Sequence, residues 1–121
     1  MEPKKVSLAE KFDSFSDYWN PRIVGELNGQ HVKLAKLKGE FVAHQHEKED
    51  ELFLVIAGTL LIELADETLE VNPGEFVIIP KGTMHKPKAP GEVKILLFEP
   101  KTTLNTGNLK NEFTRKNLDS I

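Results

Sequence analysis

Apolar and polar residues alternate with a period of two along most of the chain between residues 29 and 99. Successive side chains of a β-strand point to opposite faces, so this alternation predicts strands. Glycine, proline and asparagine interrupt the alternation at short intervals, and no helix-length period lies between the runs. The predicted strands are 31–34, 40–46, 51–57, 59–64, 68–71, 75–79, 85–88 and 93–99. Many short strands without intervening helices predict an all-β sandwich or barrel.

A different pattern precedes the strands. Ser7 and Glu10 have the spacing of a helix capping box. Leu8, Phe12 and Phe15 follow at positions that share one helical face. We therefore expect one short N-terminal helix that packs against the barrel.

The length of 121 residues indicates one structural domain. Within it, residues 1–28 are expected to form the helix and an arm packing on the barrel, and 29–100 the β-barrel. Residues 101–121 are polar and weakly patterned, and they are expected to form a C-terminal tail. The pattern leaves open whether this tail packs on its own barrel or on a neighbouring subunit.

Charge and composition limit the classes of function. The net charge is −3 with both signs interspersed, so no nucleic-acid partner is expected. Lys33, Lys36 and Lys38 alternate along one predicted strand and are interpreted as its solvent-facing side. The apolar run 52–57 is too short to span a bilayer, and the first residues lack the apolar core of a signal peptide. These features predict a cytoplasmic protein with no membrane partner.

Three of the four histidines and one glutamate form the strongest chemical signal. His44 and His46 are two residues apart on a predicted strand, so both imidazoles point to the same face. The charged segment 47–50 is expected to form a hairpin turn that brings Glu51 onto the adjacent strand. His85 follows a Pro/Gly turn at the start of another strand. The fourth histidine, His31, is interpreted as structural or exposed.

The spacing of these residues resembles the two sequence motifs of the cupin family. The first motif is Gly39-x4-His44-x-His46-x4-Glu51-x6-Gly58, and the second is Gly74-x5-Pro80-x-Gly82-x2-His85. The first motif has four residues instead of the usual five between its first glycine and first histidine. Ala89 stands where the family often has asparagine. The chain looks like a small single-domain bacterial cupin of the cupin-2 type, within the RmlC-like jelly-roll superfamily.

The resemblance implies a double-stranded β-helix, the jelly-roll barrel, and four metal ligands: His44, His46, Glu51 and His85. Three imidazoles and one carboxylate suit a divalent transition metal better than Ca²⁺ or Mg²⁺. Iron, manganese, nickel, cobalt, copper and zinc all remain open. On an octahedral ion, four protein ligands would leave two positions for water, oxygen or a substrate. The chain has no cysteine, so thiolate ligands are excluded.

The strand that starts at Glu51 is apolar on both faces. Alternation places Phe53, Val55 and Ala57 inside the barrel with Glu51, as an apolar wall beside the metal. Leu52, Leu54 and Ile56 then face outward, and apolar residues on both faces indicate burial on both faces. We therefore expect a homodimer through this sheet. The alternative cover is the protein's own N-terminal helix.

Two functions remain open from the sequence. The first is a metalloenzyme that acts on a small molecule, as a dioxygenase, isomerase or cyclase. The second is a non-catalytic module that binds a small molecule or a metal. No acid or base beyond the four ligands is identified, so no catalytic residue and no organic cofactor are predicted. Fold does not fix chemistry, so the family resemblance does not decide between the two.

Overall fold

The computed structural model of the chain describes residues 2–107 and 109–121. One short helix precedes seven strands. The elements are α1 (Leu8–Asp13), β1 (Arg22–Leu27), β2 (Gln30–Glu40), β3 (Glu51–Ala57), β4 (Leu60–Glu63), β5 (Thr68–Val71), β6 (Phe76–Ile79) and β7 (Lys86–Pro100). Strands β1, β2, β7, β3 and β6 lie side by side in that order, and β4 pairs with β5 and β7. All these pairings are antiparallel, so the predicted all-β jelly-roll fold is confirmed.

The predicted N-terminal helix is present and short. The Ser7 side chain caps it by accepting a hydrogen bond from the backbone N–H of Glu10 at 3.3 Å. The helix ends at Asp13, so Phe15 lies beyond it. Phe12 is buried, and α1 packs against β2. Strand β1 lies within residues 1–28, the segment that the sequence assigned to the helix and arm.

The two longest strands depart from the predicted boundaries. The two strands predicted at 85–88 and 93–99 form one strand, because β7 continues from Lys86 through Pro90 and Gly91 to Pro100. In β2 the register with β7 shifts between Leu37 and Gly39. Gly39 has a φ of +86°, a conformation that favours glycine at a bulge.

The core fills the inside of the barrel with alternate residues of the central strands. It includes Ala35 and Leu37 of β2, Phe53 and Val55 of β3, and Ile95 of β7. Strand β3 follows the predicted alternation from Glu51 to Ile56, with its even-numbered residues half-buried on the outer face. Ala57, which was predicted to lie inside, is half-buried after a register shift between Val55 and Ala57. Because the inner face of β2 is continuous with this core, any residue in phase with Ala35 also points inward.

This alternation places Lys33 inside the barrel, so the prediction that Lys33 faces solvent is wrong. Lys33 is two residues before Ala35, and its side chain is only 2% exposed. Lys36 is half-buried on the opposite face, where its Nζ donates to the carbonyl oxygen of Phe15 at 2.7 Å. Lys38 is exposed as predicted. Strand β2 therefore presents one lysine to the interior of the barrel.

The C-terminal tail packs on the barrel of its own chain. The ring of Phe113 lies 5.2 Å from that of Phe41. The backbone N–H of Ile121 donates to the carbonyl oxygen of Ile23 at 3.0 Å. In residues 2–107 and 109–121, no helix has the length and apolar character that a membrane crossing requires.

Candidate metal centre

Four predicted side chains meet at one point inside the barrel. His44 and His46 lie on the segment between β2 and β3, and His85 directly precedes β7. His44 and His85 exchange two backbone hydrogen bonds of 2.9 Å, which hold the two histidine segments side by side. Glu51 is the first residue of β3 and points inward.

Glu51 reaches this point by another route than the sequence suggested. The expected hairpin would have paired β3 with the histidine segment. In the structure β3 pairs with β6 and β7, and the histidine segment forms its bridge with His85. The prediction that β3 pairs with the histidine segment is therefore wrong. Glu51 meets the histidines across the interior of the barrel rather than through a tight turn.

The four side chains are close enough to share one ion. One ligand atom from each lies within 4.8 Å of the other three. Glu51 Oε1 is 3.3 Å from His46 Nε2 and 3.5 Å from His85 Nε2. Two ligands about 2.1 Å from one ion are separated by about 3.0 Å at a right angle and about 4.2 Å across the ion. The observed spacing falls near this range.

Backbone carbonyls orient two of the imidazoles. His44 Nδ1 lies 3.0 Å from the carbonyl oxygen of Val42, and His85 Nδ1 lies 2.9 Å from that of Thr83. A carbonyl oxygen only accepts hydrogen bonds, so each Nδ1 carries the proton and donates it. The Nε2 atom of each ring then keeps its lone pair. This is the tautomer that metal-ligating histidines adopt when a carbonyl binds their other nitrogen.

The centre contains buried polar atoms that nothing in the described chain satisfies. His46 Nδ1 and Nε2, His85 Nε2 and Glu51 Oε1 are all buried without a hydrogen-bond partner among residues 2–107 and 109–121. Burying such atoms unpaired costs free energy, so they normally have a partner. A cation that accepts lone pairs from nitrogen and oxygen would satisfy three of them together. The residues therefore fit a metal of the kind the sequence predicted.

The electrostatics of the centre favour a neutral His44 and an ionised Glu51. Burial, reinforced by His85, lowers the pKa of His44 to about 4. Burial alone would raise the pKa of Glu51. The polar side chains of Glu99, His46 and His85 around it outweigh this effect and hold that pKa well below its usual range. These are the protonation states in which the two residue types bind metals.

A cavity of about 420 Å³, counting its open mouth, adjoins His44 and Glu51. Its walls are mainly apolar and include Phe53, as predicted, but not Val55 or Ala57. Trp19 packs in the core, and its ring stacks on that of Phe41 with the centroids 4.7 Å apart. It also lines the cavity, as do Phe41, Leu37, Ile95, Leu97, and Asn105 of the tail.

His31 and Met84 lie away from the four clustered side chains. His31 lies outside the cluster, and its Nε2 is 3.3 Å from Glu26 Oε1. Met84, which precedes His85 in the chain, is 51% exposed and is not among the cavity-lining residues.

Two ionisable residues beside the centre, Glu99 and Lys33, were not predicted as part of it. Glu99 of β7 lines the same cavity as Glu51 and accepts a hydrogen bond from Lys33 Nζ at 2.8 Å. Burial raises the pKa of Glu99 well above its usual range, and the negative charge of Glu51 raises it further. One signal was available: Glu99 is in phase with Ile95 and Leu97, whose alternation marks the inner face of β7.

Comparisons with known proteins match this architecture. The family model of the cupin domain (Cupin_2) matches residues 30–99. The uncharacterized protein YdbB of Bacillus subtilis (strain 168) is 40% identical over 83 residues, which are 68% of this chain and 67% of YdbB.

Solved structures agree. A cupin-2 domain containing protein from Shewanella frigidimarina is 43% identical, with a TM-score of 0.79 over 79% of this chain and 94% of that one. Protein NMB1881 from Neisseria meningitidis is 24% identical, with a TM-score of 0.74 over 81% of this chain and 100% of that one, and supports the fold alone. Because the family model covers more than half of the 121 residues and both cupin motifs meet inside the barrel, the chain belongs to the cupin family.

Proposed function

We propose that this cupin binds a divalent transition metal through His44, His46, Glu51 and His85, and that it is a metalloenzyme acting on a small molecule held in the adjoining cavity. The observation that carries the proposal is the set of buried, unpaired ligand atoms facing one another beside that cavity. Dioxygenase, isomerase and cyclase chemistry are the reaction types that such a centre would support.

The ligand set limits which metals are candidates. Three imidazoles and one carboxylate provide no sulfur ligand and carry a single negative charge, so they favour iron, manganese, cobalt, nickel, copper or zinc. A metal there would supply a Lewis acid with positions open to the cavity. His44 and His85 would each present Nε2, since their Nδ1 atoms are held by carbonyl oxygens.

The cavity indicates the character of the bound molecule. Aromatic and aliphatic side chains make up most of its wall, and the polar groups lie on His44, Glu51, Glu99 and Asn105. Ligand sites commonly combine an apolar lining with a few placed polar groups. A small molecule with an apolar body and one polar group directed at the metal fits this distribution. The wall would also exclude water from the reacting end.

The second candidate is a non-catalytic module that binds a small molecule or the metal. It is favoured by the predominance of apolar groups in the cavity lining. Oxygen-uptake and isomerase assays on metal-loaded protein would separate the candidates. Turnover that disappears in folded His46→Ala would favour the enzyme, and binding without turnover of any tested compound would favour the module.

Metal analysis tests the shared part of both candidates. Protein purified without added metal, and the same protein supplied with manganese or iron, would be measured for metal per chain. We expect close to one equivalent in the wild type and a large loss in His46→Ala. His31→Ala is the matched control, because His31 lies outside the cluster. Below about 0.1 equivalent in both wild-type preparations, the metal centre would be rejected, since a formed site of this kind binds tightly.

We also propose that a second copy of the chain covers the outer face of the sheet. Phe76 and Ile78 of β6 are 60% and 54% exposed, beside the half-buried Leu54 and Leu52 of β3. The helix α1 packs on β2 and leaves these β6 residues exposed. A contiguous apolar patch of this kind is typical of an interaction site.

Analytical ultracentrifugation at micromolar concentration would test the homodimer. We expect Ile78→Lys to shift the wild-type dimer to monomer. Leu27→Lys is the control, because Leu27 is an exposed apolar residue on β1 at the opposite edge of the sheet. A wild-type protein that is monomeric throughout would contradict the proposal.

Two other expectations stay predictions: the boundaries of the barrel segment at residues 28 and 100, and the cytoplasmic location.

A further inference from the structure

A buried lysine–glutamate pair lies directly behind the metal centre. Lys33 on β2 and Glu99 on β7 are each 2% exposed, and Lys33 Nζ donates to Glu99 Oε1 at 2.8 Å. Glu99 in turn lies beside Glu51 on the neighbouring strand, and both carboxyl groups line the same cavity. The three ionisable side chains therefore form one buried row that ends at a proposed metal ligand.

The sheet register explains why the three meet. Leu52 of β3 pairs with Phe98 of β7, so Glu51 and Glu99 are the next residues on neighbouring strands. Both point into the barrel, because each is in phase with buried apolar residues of its own strand. Lys33 pairs with Leu97, two residues before Glu99 and on the same inner face. Three adjacent strands thus each contribute one charged group.

A contribution to folding stability does not explain why Lys33 and Glu99 are buried beside Glu51. Taking a lysine and a carboxyl group out of water costs several kcal/mol per ion, and apolar residues of similar volume are often as stable or more so. Two carboxyl groups facing each other across neighbouring strands add a further unfavourable contact. The position of the pair against Glu51 indicates a role in the site itself.

The position of Glu99 restricts the orientation of the Glu51 side chain. Glu51 Oε1 faces His46 and His85, and Glu99 lies beside Glu51 on the β7 side, with both side chains buried. Lys33 fixes Glu99 in turn by its hydrogen bond. Partners that hold a ligating carboxylate in this way usually change metal affinity about 10- to 100-fold when removed.

We propose that Lys33 and Glu99 are positioning residues that hold Glu51 in the orientation in which it ligates the metal. This inference rests on the proposed metal centre and extends it to the groups behind it. Neither residue is proposed to contact the metal. Their effect on the metal passes through the carboxylate of Glu51.

The test compares metal binding in three variants. The double variant Lys33→Met/Glu99→Leu removes the pair without leaving one buried charge alone. Glu99→Gln is the conservative variant, because its amide can donate to Glu51 while its oxygen accepts from Lys33. Glu63→Leu/Lys88→Met removes the surface ion pair between β4 and β7 and is the matched control. Calorimetry would give the Kd for Co²⁺, and the visible Co²⁺ spectrum would report its coordination.

We expect the double variant to bind Co²⁺ about 10- to 100-fold more weakly, with a changed spectrum. Glu99→Gln and the surface control should bind within about threefold of the wild type, a difference below 1 kcal/mol. If the double variant does not fold, Glu99→Asp carries the test. Its carboxyl group is withdrawn by about one bond length of 1.5 Å from Glu51, and it should also weaken binding and alter the spectrum.

Two results would overturn the inference. Unchanged affinity and spectrum in a folded double variant, with only a lower melting temperature of the metal-free protein, would make the pair purely structural. Wild-type protein that binds none of the metals would instead remove the proposed function and this inference with it. The wild-type measurement therefore distinguishes the two failures.

Discussion

The C-terminal tail contacts the histidine segment at Gly107, and this contact predicts the effect of a single methyl group. A Cβ added at Gly107 would overlap the carbonyl oxygen of Gln45 and lie 2.9 Å from its carbonyl carbon. Gln45 stands between the two proposed ligands His44 and His46. Gly107→Ala must therefore move the tail, the histidine segment, or both.

The expected loss of stability has two parts. Gly107 has a φ of +60°, and a side chain in this left-handed region costs about 1–2 kcal/mol. The smaller conformational freedom of alanine in the unfolded chain offsets about 0.4–1 kcal/mol of this. Overpacking against backbone adds about 1–3 kcal/mol. The free energy of unfolding should fall by about 2–4 kcal/mol in total.

The displacement of Gln45 should also weaken metal binding. If about 1.4 kcal/mol of the strain is relieved by moving Gln45 in the metal-free protein, binding must restore it, and the Kd rises about tenfold. Urea denaturation of the metal-free protein would give the stability. Calorimetric titration with Co²⁺ or Mn²⁺ would give the Kd.

Two other glycines provide controls. Gly29 has a φ of +77° with nothing within 4 Å of an added Cβ, so Gly29→Ala isolates the backbone cost, about 0.5–1 kcal/mol after the same offset. Gly58 has a φ of +81°, and an added Cβ would overlap the carbonyl oxygen of Glu92 and approach Val93 Cα to 3.1 Å. Gly58 lies at the far end of β3 from Glu51, so Gly58→Ala should destabilise without weakening metal binding. A Gly107→Ala protein that is destabilised as Gly58→Ala is, yet binds metal as the wild type does, would refute the reasoning.

Two further predictions concern pH and the core. The pKa of His44 is about 4 in the fold and about 6.5 when unfolded, so only the unfolded state takes up this proton between those values. Stability of the metal-free protein is therefore complete above pH 6.5 and should lose about 3 kcal/mol as the pH falls to 4. Urea titrations at pH 7.5 and 4.5 would measure this loss, and an equal loss in His44→Gln would contradict its assignment to His44. Leu60 is 0% exposed in the core, so Leu60→Ala should cost about 2–5 kcal/mol, and half-buried Leu61→Ala should cost less. A cost below about 1 kcal/mol at Leu60 would mean that the barrel closes around the missing side chain.

Several features followed from the sequence because their physical cause is local. The period of two identifies strands wherever one face is buried, and it placed Phe53 and Val55 inside correctly. The capping box marked the start of α1 because both of its residues lie within one helical turn. His44 and His46 meet at one site as expected, but the predicted strand 40–46 is wrong: β2 ends at Glu40, and beyond it only His44 forms an isolated β-bridge before β3. The fourth ligand, His85, was predicted from the family's motif spacing, since no local pattern connects it with His46, which lies 39 residues earlier in the chain.

Other features depended on strand pairing, which no local pattern encodes. The neighbours of β3 are β6 and β7, so Glu51 arrives beside the histidines across the barrel rather than through a hairpin. The same pairing brings Glu99 against Glu51 and Lys33 against Glu99, from positions 48 and 66 residues apart in the chain.

The sequence by itself determined the strand content, the short helix, the inner face of β3 and the four residues proposed as ligands. Only the tertiary structure decided that Lys33 is buried, that the tail packs at Gly107 beside the histidines, and that Glu99 lies beside Glu51. The physical reason is that alternation assigns each side chain to a face of its own strand, whereas the register between strands decides which side chains meet.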